Sequence, residues 1–466
     1  MKAMRQAPTP DCRVWRLILT MFGLWLGISG CTHLGPWPQA SSSEPSADSQ
    51  QPPLIPNLAA QIETDLRDNL PARLPALRTS LSNQSNKVAK FKRGAVTRIL
   101  ADPWAGLSEV EGAALLAVAA AESGVEGLPA LVDILENEMG RTGTPFTPRT
   151  FPATMARDEL LGFLTTVLEE AHHDREEALR RLSPQEREFL FSQARTLVEG
   201  FIPQITPPDQ LSDVEVAGKF AALLMQQVDY AALITAAQRL ARFGNRKFLR
   251  QLEIAFQNRK PISHAPPGVT GEILLAEQTA YGWLIVGGRG PNSYDLDQGA
   301  ALIIDLGGND SYRGVIGASA NSDIGNGVVI DLAGNDLYEP LSLGFATGRL
   351  GVGLVIDQSG DDTYRLAPGT GGVGLAGLGL LYDGEGHDVY EGSRFTQGAS
   401  FGGFGLLVDR AGDDHYQSFG YALGFGGPLG VGALIDVAGN DSYDCGGRYP
   451  SAYNATDAPN AQPQDP

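Results

Sequence analysis

The sequence predicts an all-helical domain followed by a parallel β-solenoid. Three observations predict this fold: apolar residues at helical spacing within residues 57–260, a 26-residue repeat between Trp283 and Tyr443, and the concentration of glycine and acidic residues in that repeat. A chain of 466 residues is too long for one ordinary core, so two or more domains are expected. The helical pattern stops at Pro261 to Pro267, which indicates a domain boundary.

The first 30 residues have the features of an export signal. A basic start precedes a short apolar run, Leu17 to Ile28, which cannot span a membrane at its length. The run ends in Ile28-Ser29-Gly30-Cys31, which resembles the lipobox of bacterial lipoproteins. The resemblance implies cleavage before Cys31, a lipid on its thiol and, because Thr32 follows, delivery to the outer membrane. The alternative is an ordinary secretory signal with an incidental cysteine.

Two segments are expected to lack a fold of their own. Residues 31–56 are rich in Pro, Ser, Ala and Gln and have little to bury, which predicts a flexible tether. Residues 446–466 have a similar composition and are predicted to be a disordered tail. The folded body would therefore comprise a helical domain over 57–260 and a solenoid over 268–445.

The helical domain is predicted from start signals and apolar faces. Capping boxes begin at Ser108, Ser183 and Ser212, each with a Glu at the third position after it. Apolar faces at helical spacing occur between Asp158 and Leu168 and again after Ser212. We expect six to nine helices, interrupted by a loop over 140–152. No catalytic motif is readable here, so scaffolding or docking of a partner is the expected role.

The repeat is written six times as three apolar residues followed by Asp-x-x-Gly-x-Asp-x-Tyr. The first Asp recurs at a constant spacing that is one position longer at the last step, at Asp305, Asp331, Asp357, Asp383, Asp409 and Asp436. The second Asp is Asp310, Asp336, Asp362, Asp388, Asp414 or Asp441. The tyrosine is Tyr312, Tyr338, Tyr364, Tyr390, Tyr416 or Tyr443.

The repeat length predicts a stack of about six to seven coils. A 26-residue unit has one short apolar strand that cannot be buried alone, and it is shorter than a propeller blade of about 40 to 45 residues. The segment from Leu284 to Tyr294 has the same pattern without its carboxylates, as a terminal cap would. Gly-x-Gly pairs before five of the apolar runs are predicted to turn the corners.

Stacking predicts an electrostatic problem. From residue 261 onward there are 25 acidic residues, 7 arginines and no lysine, which accounts for 18 of the 19 net negative charges and argues against nucleic acid as a partner. Equivalent Asp residues in successive coils would lie roughly 5 Å apart, at a cost of about 3 kcal/mol per neighbouring pair near the surface. Protonation could neutralise some of them. Oxygen ligands without recurring His or Cys favour a hard cation, and Ca²⁺ more than Mg²⁺.

The turn itself has a partial counterpart. Gly-Gly-Asn-Asp-Ser-Tyr at 307–312 resembles the glycine-rich nonapeptide of RTX calcium-binding β-rolls. That resemblance implies Ca²⁺ held between coils by Asp side chains and turn carbonyls, here on the twelve aspartates of the repeat. We expect the two Asp of one copy and a carbonyl near its Gly to form one site per turn. The chain departs from the family in its longer unit and its additional Asp; a solvated acidic edge is the alternative.

These observations predict a lipid-anchored structural or binding module of the cell envelope. The six tyrosines would form a stacked row that serves either as packing or as a platform for a sugar. A glycan-active enzyme resembling polysaccharide lyases is an alternative, but the scattered arginines and the absence of lysine after residue 260 leave no catalytic residue to assign. The other alternative is an envelope assembly factor that docks a protein partner through its helices. The expected partners are a membrane and a glycan or envelope protein.

Overall fold

The computed structural model describes a helical region and the repeat region that follows it. The described residues are 103–139, 157–200, 214–321 and 324–445. The predicted export signal with Cys31, the tether, residues 57–102, the loop over 140–152 and the tail over 446–466 lie outside them. The predicted combination of helices followed by a parallel β-solenoid is confirmed.

Seven α-helices occur in the described part of the chain. They are α1 (Pro103–Glu122), α2 (Leu128–Met139), α3 (Arg157–Leu179), α4 (Pro184–Gly200), α5 (Val214–Gln227), α6 (Tyr230–Ala241) and α7 (Arg246–Phe256). Short 3₁₀ turns at Gly124–Gly127 and Arg242–Gly244 join neighbouring helices. None of the helices in the described ranges combines the length and the apolar composition needed to cross a bilayer.

The helix start signals are confirmed in one case and wrong in another. Ser183 and Glu186 form the predicted reciprocal capping box before α4, with the Ser183 backbone N–H 2.8 Å from a Glu186 carboxylate oxygen. Ser108 does not start a helix, because α1 already begins at Pro103. Proline suits the first helical position, and that signal overrides the serine inside the helix. Ser212 lies outside the described residues.

One sheet carries the apolar runs and is called the apolar sheet. Its strands in spatial order are β18 (Val431–Asp436), β16 (Phe404–Asp409), β13 (Leu378–Asp383), β10 (Val352–Asp357), β7 (Asn326–Asp331), β5 (Leu302–Asp305), β3 (Gly282–Gly287) and β2 (Ile273–Thr279). From β3 to β18 the strands are parallel and pair equivalent residues, so Gly353 lies opposite Gly379. The antiparallel strand β2 closes the first end.

The second sheet carries the tyrosines and is called the tyrosine sheet. Its strands in spatial order are β1 (Val269–Thr270), β4 (Ser293–Leu296), β6 (Ser311–Ile316), β8 (Leu337–Phe345), β11 (Thr363–Leu366), β14 (Val389–Gly392), β17 (His415–Ser418) and β19 (Ser442–Cys445). Burial alternates along most of its strands, because one face lines the interior of the solenoid and the other is exposed to solvent.

A short third sheet closes part of three successive coils. It contains β9 (Thr347–Arg349), β12 (Val373–Leu375) and β15 (Ser400–Phe401). The second glycine of each Gly-x-Gly pair does not turn a corner as predicted but lies inside a strand of the apolar sheet. A Cβ on Gly353 would be 2.4 Å from the Thr347 nitrogen, so glycine lets the third sheet approach backbone to backbone. The corners are turned by residues such as Ala346, Leu350 and Ala376 at positive φ.

The helices form a layer on the outer face of the apolar sheet. Alternate side chains of its strands, from Leu284 to Ile435, belong to one core with residues of α1, α2, α3, α5, α6 and α7. The other side chains of these strands pack inside the solenoid against the tyrosines. The apolar sheet is therefore buried on both faces, which explains why its strands are continuously apolar.

Polar contacts fix the helical layer on the repeats. The buried Arg175 of α3 donates from Nε to the Leu350 carbonyl at 2.9 Å. It occupies space left by a glycine, since a Cβ on Gly325 would lie 2.1 Å from this Nε. Tyr230 of α6 donates its hydroxyl to the Gly402 carbonyl. Both contacts join a helix to a coil that lies far away in the sequence, so they can form only once the solenoid and the helices have met.

Candidate metal centre

The first aspartate of each repeat ends a strand of the apolar sheet. Because the strands stack in register, these aspartates lie opposite each other, as Asp305 does with Asp331 and Asp383 with Asp409. The predicted alignment of the carboxylates from coil to coil is confirmed. They do not project into water: the first five are 0% exposed. We call this set, from Asp305 to Asp436, the first row.

Tyrosine hydroxyls of neighbouring coils donate to the first row. Tyr338 donates to Oδ2 of Asp357 at 2.6 Å and Tyr390 donates to Oδ2 of Asp409 at 2.7 Å, in both cases from the preceding coil. The pairs Tyr294 with Asp305, Tyr312 with Asp331 and Tyr364 with Asp383 repeat this contact. In the first three copies Oδ1 accepts a backbone N–H of the same turn, from Gly307, Ala333 or Ser359. The first row is thus held mainly by hydrogen bonds, although Oδ1 of Asp383 and Oδ1 of Asp409 are buried without a partner in the described part of the chain.

The second aspartates, five residues after the first in each copy, form another row alongside it. In this second row, from Asp310 to Asp441, each Oδ1 accepts the backbone N–H of the equivalent residue in the preceding coil, at 2.6 to 3.2 Å. The other oxygen, Oδ2, has no hydrogen-bond partner in the described structure at Asp310, Asp336, Asp362, Asp388 and Asp414. Those five side chains are only 1 to 3% exposed. A buried carboxylate oxygen without a donor is costly unless a proton or cation accompanies it.

The two rows converge into five clusters that could hold a metal ion. All twelve predicted aspartates take part, and within each cluster three carboxylate oxygens lie within 4.8 Å of one another. The clusters are Asp305, Asp310, Asp331; Asp331, Asp336, Asp357; Asp362, Asp383, Asp388; Asp388, Asp409, Asp414; and Asp414, Asp436, Asp441. Each combines residues of two successive coils, whereas we expected the carboxylates of a single turn. Three of the four neighbouring pairs of clusters share a carboxylate, namely Asp331, Asp388 or Asp414, whereas the second and third clusters share none.

Burial and mutual repulsion raise the pKa values throughout the rows. Burial, followed by the charge of Asp305, raises the pKa of Asp310 to about 8. Burial is also the main cause at Asp357 and Asp388, whose pKa values rise to about 7. At Asp362 burial and the charge of Asp357 raise the pKa to about 11. Without a cation, several of these groups would share or retain protons at neutral pH.

A third ladder runs along the exposed side of the turns. The residue before each second Asp accepts the backbone N–H of the equivalent residue in the next coil. Oδ1 of Asp361 accepts from His387 at 2.9 Å, and Nδ1 of His387 accepts from Asp413 at 2.9 Å. Asn309, Asn335 and Asp413 accept in the same way. His387, which looks incidental in the sequence, is therefore an acceptor that replaces Asn or Asp.

The glycine of the turn is required by the close approach of neighbouring coils. A Cβ on Gly334 would lie 1.5 Å from the Gly308 carbonyl oxygen of the preceding coil. The same clash recurs at Gly360, Gly386, Gly412 and Gly439, at 1.4 to 1.7 Å. Any side chain at these positions would force the coils apart and disrupt both aspartate rows.

The tyrosines form a stacked row inside the solenoid. From Tyr312 to Tyr416 neighbouring ring centroids lie 4.7 Å apart, and the planes differ by at most 8°. These five rings are 0% exposed. They belong to the interior core, so the row serves as packing, and such rings present no face to a sugar. Only the last ring, Tyr443, is partly exposed.

The first end of the rows is closed by an asparagine. Asn292 donates from Nδ2 to Oδ2 of Asp305 at 2.9 Å, and its own backbone N–H donates to Asp310. Its Oδ1 accepts the Glu272 backbone N–H. Asn292 occupies the place of a second aspartate in the truncated copy, so a neutral amide begins the acidic chain. The sequence carries that signal, because Asn292 precedes Tyr294 at the same spacing as each second Asp precedes its tyrosine.

The arginines of the repeat region serve other contacts. Arg313 and Arg365 both bind Glu339 on the exposed face of the tyrosine sheet, at 2.7 and 2.5 Å. Burial lowers the pKa of Arg349 to about 10, and its guanidinium lies 3.9 Å from the Phe191 ring centroid. Arg410 binds Glu385. These four side chains pair with glutamates or with the helical layer rather than with the aspartate rows.

Comparison with known proteins supplies no relative. No family model matches the sequence. No curated protein is significantly similar to it, and no solved structure is significantly similar to its fold. The partial resemblance to RTX repeats stays a prediction, and the chemistry of the two rows is argued from their geometry alone.

Proposed function

We propose that this protein is a cell-envelope module whose solenoid is stabilised by Ca²⁺ bound between its coils. One observation carries the proposal: five buried carboxylate oxygens of the second row lack a hydrogen-bond donor, and all five belong to clusters of three carboxylates. A divalent ion in each cluster would supply the positive charge that the surrounding residues do not. Asp305, Asp310 and Asp331 would be the protein ligands in the first cluster, and the second cluster repeats this pattern. Each of the last three clusters instead combines the second aspartate of one copy with both aspartates of the next copy.

The donor set favours calcium over other ions. Every ligand in the clusters is a carboxylate oxygen, which excludes the nitrogen and sulfur ligands preferred by zinc and copper. Shared carboxylates bridge three of the four adjacent pairs of clusters, and Ca²⁺ accepts such irregular, multi-oxygen geometry more readily than Mg²⁺ does. Five divalent ions would neutralise ten of the twelve charges in the rows. Calcium would thereby remove the mutual repulsion that raises the aspartate pKa values.

Metal analysis together with thermal unfolding tests the proposal. The purified chain is dialysed against calcium buffer, and its bound metal is measured by mass spectrometry before and after chelation. We expect several calcium ions per chain, a lower melting temperature after chelation, and recovery when Ca²⁺ but not Mg²⁺ is restored. A chain that retains no calcium and melts at the same temperature with and without chelator would contradict the proposal. In that case the two aspartates of each turn share a proton instead.

The place of the protein is proposed from its first 31 residues. The basic start, the short apolar run and Ile28-Ser29-Gly30-Cys31 support export and a lipid on Cys31. The tether over 31–56 would then separate the folded body from an outer-membrane surface. In a bacterial host, the wild-type chain is expected in the membrane fraction, and Cys31→Ser is expected to release it. An unchanged distribution of the variant would contradict lipid anchoring.

We propose further that the module binds a glycan or another envelope protein. The helices cover the apolar sheet, so much of their apolar surface is used within the chain. Leu115 and Leu116 on α1 are exposed by 40% and 62%, and two adjacent leucines form a smaller patch than docking sites usually present. The exposed face of the tyrosine sheet, with Arg313, Glu339 and Arg365, is the regular surface left for a partner.

A further inference from the structure

The last of the five clusters differs from the other four in exposure. The residues of the first four clusters are all buried, whereas Asp436 and Asp441 of the last one are partly exposed. Its third member, Asp414, is 2% exposed and has an Oδ2 without a hydrogen-bond partner in the described part of the chain. The cluster therefore has one enclosed side and one side open to solvent.

A buried tyrosine hydroxyl beside this cluster is also unsatisfied. In earlier coils each tyrosine donates to the first aspartate of the next coil, so Tyr416 would be expected to donate to Asp436. Oδ2 of Asp436 instead accepts the hydroxyl of Tyr443, from its own coil, at 2.6 Å. The Tyr416 hydroxyl is left without a partner among the described residues, although its ring is 0% exposed. The Asp414 Oδ2 and the Tyr416 hydroxyl are thus two separate buried groups near the last cluster that have no hydrogen-bond partner among the described residues.

The change in pairing follows from the position of the last coil. Tyr443 has no further repeat copy to donate to, so its hydroxyl turns back to Asp436. The spacing also changes here: Ser400 lies opposite Gly426, which keeps the period of the repeat, but Phe404 lies opposite Val431, one position beyond it. The additional residue falls within 427–430, where Leu429 has a φ of 58°. The last coil therefore repeats the ligands of the others without repeating their enclosure.

We infer that Asp414, Asp436 and Asp441 form an exchangeable cation site, while the other four clusters hold their ions enclosed. The inference rests on the proposed calcium binding and adds that the sites differ in how readily they exchange their ions. In an enclosed cluster the next coil covers the ion, so release requires the coils to separate. At the last cluster no further repeat among the residues up to Cys445 covers the ion, so it keeps coordination positions for water. A hard cation can enter and leave there without unfolding the solenoid.

Terbium(III) is a suitable probe because it replaces calcium and is excited through nearby tyrosines. The calcium-free chain is loaded with terbium, and luminescence decays in H₂O and D₂O report the waters bound to each ion. We expect two populations, with about one ion in five carrying more water. After excess chelator is added, that hydrated population should be lost about tenfold faster or more.

Matched variants assign the two populations. Asp441→Asn should remove the hydrated, fast component and leave the slow one. Asp310→Asn, at the enclosed end, should reduce the slow component and leave the fast one. Asp444→Asn, on the same last strand but outside the cluster, should change neither. If Asp441→Asn does not fold, Asp436→Asn tests the same site through its other exposed carboxylate.

The outcomes separate this inference from the proposal beneath it. A single population with one release rate in the wild-type chain would overturn the inference while leaving calcium binding intact. A fast component that survives in a folded Asp441→Asn or Asp436→Asn variant would also overturn it. A chain that binds neither calcium nor terbium would remove the proposed function itself.

Discussion

The two aspartate rows contain the same residue in the same turn, yet their surroundings differ. Every first-row Oδ2 accepts a tyrosine hydroxyl, whereas five second-row Oδ2 atoms accept no hydrogen bond in the described part of the chain. The first row therefore acts as a hydrogen-bond acceptor that ties one coil to the next. The second row contributes one such bond per residue and leaves an oxygen for a cation or proton. The two aspartates of one repeat thus have different structural roles, and the effects of substituting them should differ measurably.

Among the tests of this difference between the rows, calcium removal should change the stability of the protein most. At a calcium concentration 100 times the dissociation constant, each site adds about 2.7 kcal/mol to the free energy of unfolding. Five such sites together would add an amount comparable with the whole stability of a usual domain, about 5 to 15 kcal/mol. We expect the calcium-free chain to lose most of its β-sheet circular dichroism on mild heating, with recovery on adding Ca²⁺. Retention of the same melting curve in chelator would show that the second row needs only protons.

The second largest effect should be the dependence of the calcium-free chain's melting temperature on pH. Burial raises the pKa of Asp305 to about 6 and that of Asp310 to about 8, above the value of about 3.9 in an unfolded chain. Stability from protonated groups is complete below the unfolded value and is lost as the pH rises through the folded ones. In chelator, the melting temperature should fall between pH 4 and 8. With calcium present it should rise over that range, since bound metal needs ionised ligands. A melting temperature in chelator that does not fall over this range would contradict the assigned burial.

Substitution to alanine should cost more in the first row than in the second. Asp357→Ala removes the acceptor of two donors, the buried Tyr338 hydroxyl and the part-buried Ser359 N–H, which costs about 2 to 6 kcal/mol. Asp362→Ala removes the acceptor of one, the Asp336 N–H, and costs about half as much. Urea unfolding in chelator gives both values. Equal losses would mean that the hydrogen bonds do not distinguish the rows.

Removing single tyrosine hydroxyls gives a smaller and more selective test. Tyr364→Phe keeps the ring in the stack but deprives Asp383 of its donor, which should cost about 1 to 3 kcal/mol. Tyr416→Phe removes a hydroxyl that has no partner among the described residues, so its cost should be near zero or negative. Thermal unfolding of the two variants compares an inner coil with the end of the rows. A large loss in Tyr416→Phe would mean that its hydroxyl donates after all.

The exposed ladder should respond least. His387→Asn retains an acceptor for the Asp413 N–H, so the free energy of unfolding should change by less than about 0.5 kcal/mol. His387→Ala removes the acceptor on an exposed turn and should cost about 0.5 to 1.5 kcal/mol. Chemical unfolding of both variants in calcium buffer measures the difference. A greater loss in the asparagine variant would exclude the acceptor role.

Most of the correct predictions about the solenoid followed from the period of the repeat. A constant spacing forces equivalent residues into register, so the two rows and the stacked tyrosines follow once coils are assumed. The contact from Tyr338 to Asp357 could not be read in this way, because it joins two coils and depends on how far a side chain reaches along the stack. The cluster composition was missed for the same reason: each site takes ligands from two coils rather than from one turn.

The relation between the helices and the solenoid was also hidden in the sequence. One indirect sign of it was present in the strands. Strands such as Leu378–Asp383 are buried at every position, whereas burial alternates along Thr363–Leu366. Continuous apolar strands indicate burial on both faces, which requires a covering layer. Which helices provide it could not be deduced, because that choice depends on contacts such as Arg175 with Leu350, far apart in the chain.

The covering layer also sets a limit on growth of the solenoid. Side chains from Leu284 in the cap coil to Ile435 in the last coil lie under helices. Duplication of a 26-residue unit would preserve every contact within the stack, but it would add a strand whose outer apolar side chains extend past the helices. Such a strand would expose an apolar surface that is prone to aggregation. The helical layer therefore limits the number of coils. The repeat could gain or lose coils in evolution only if the helical layer became longer or shorter by a matching amount.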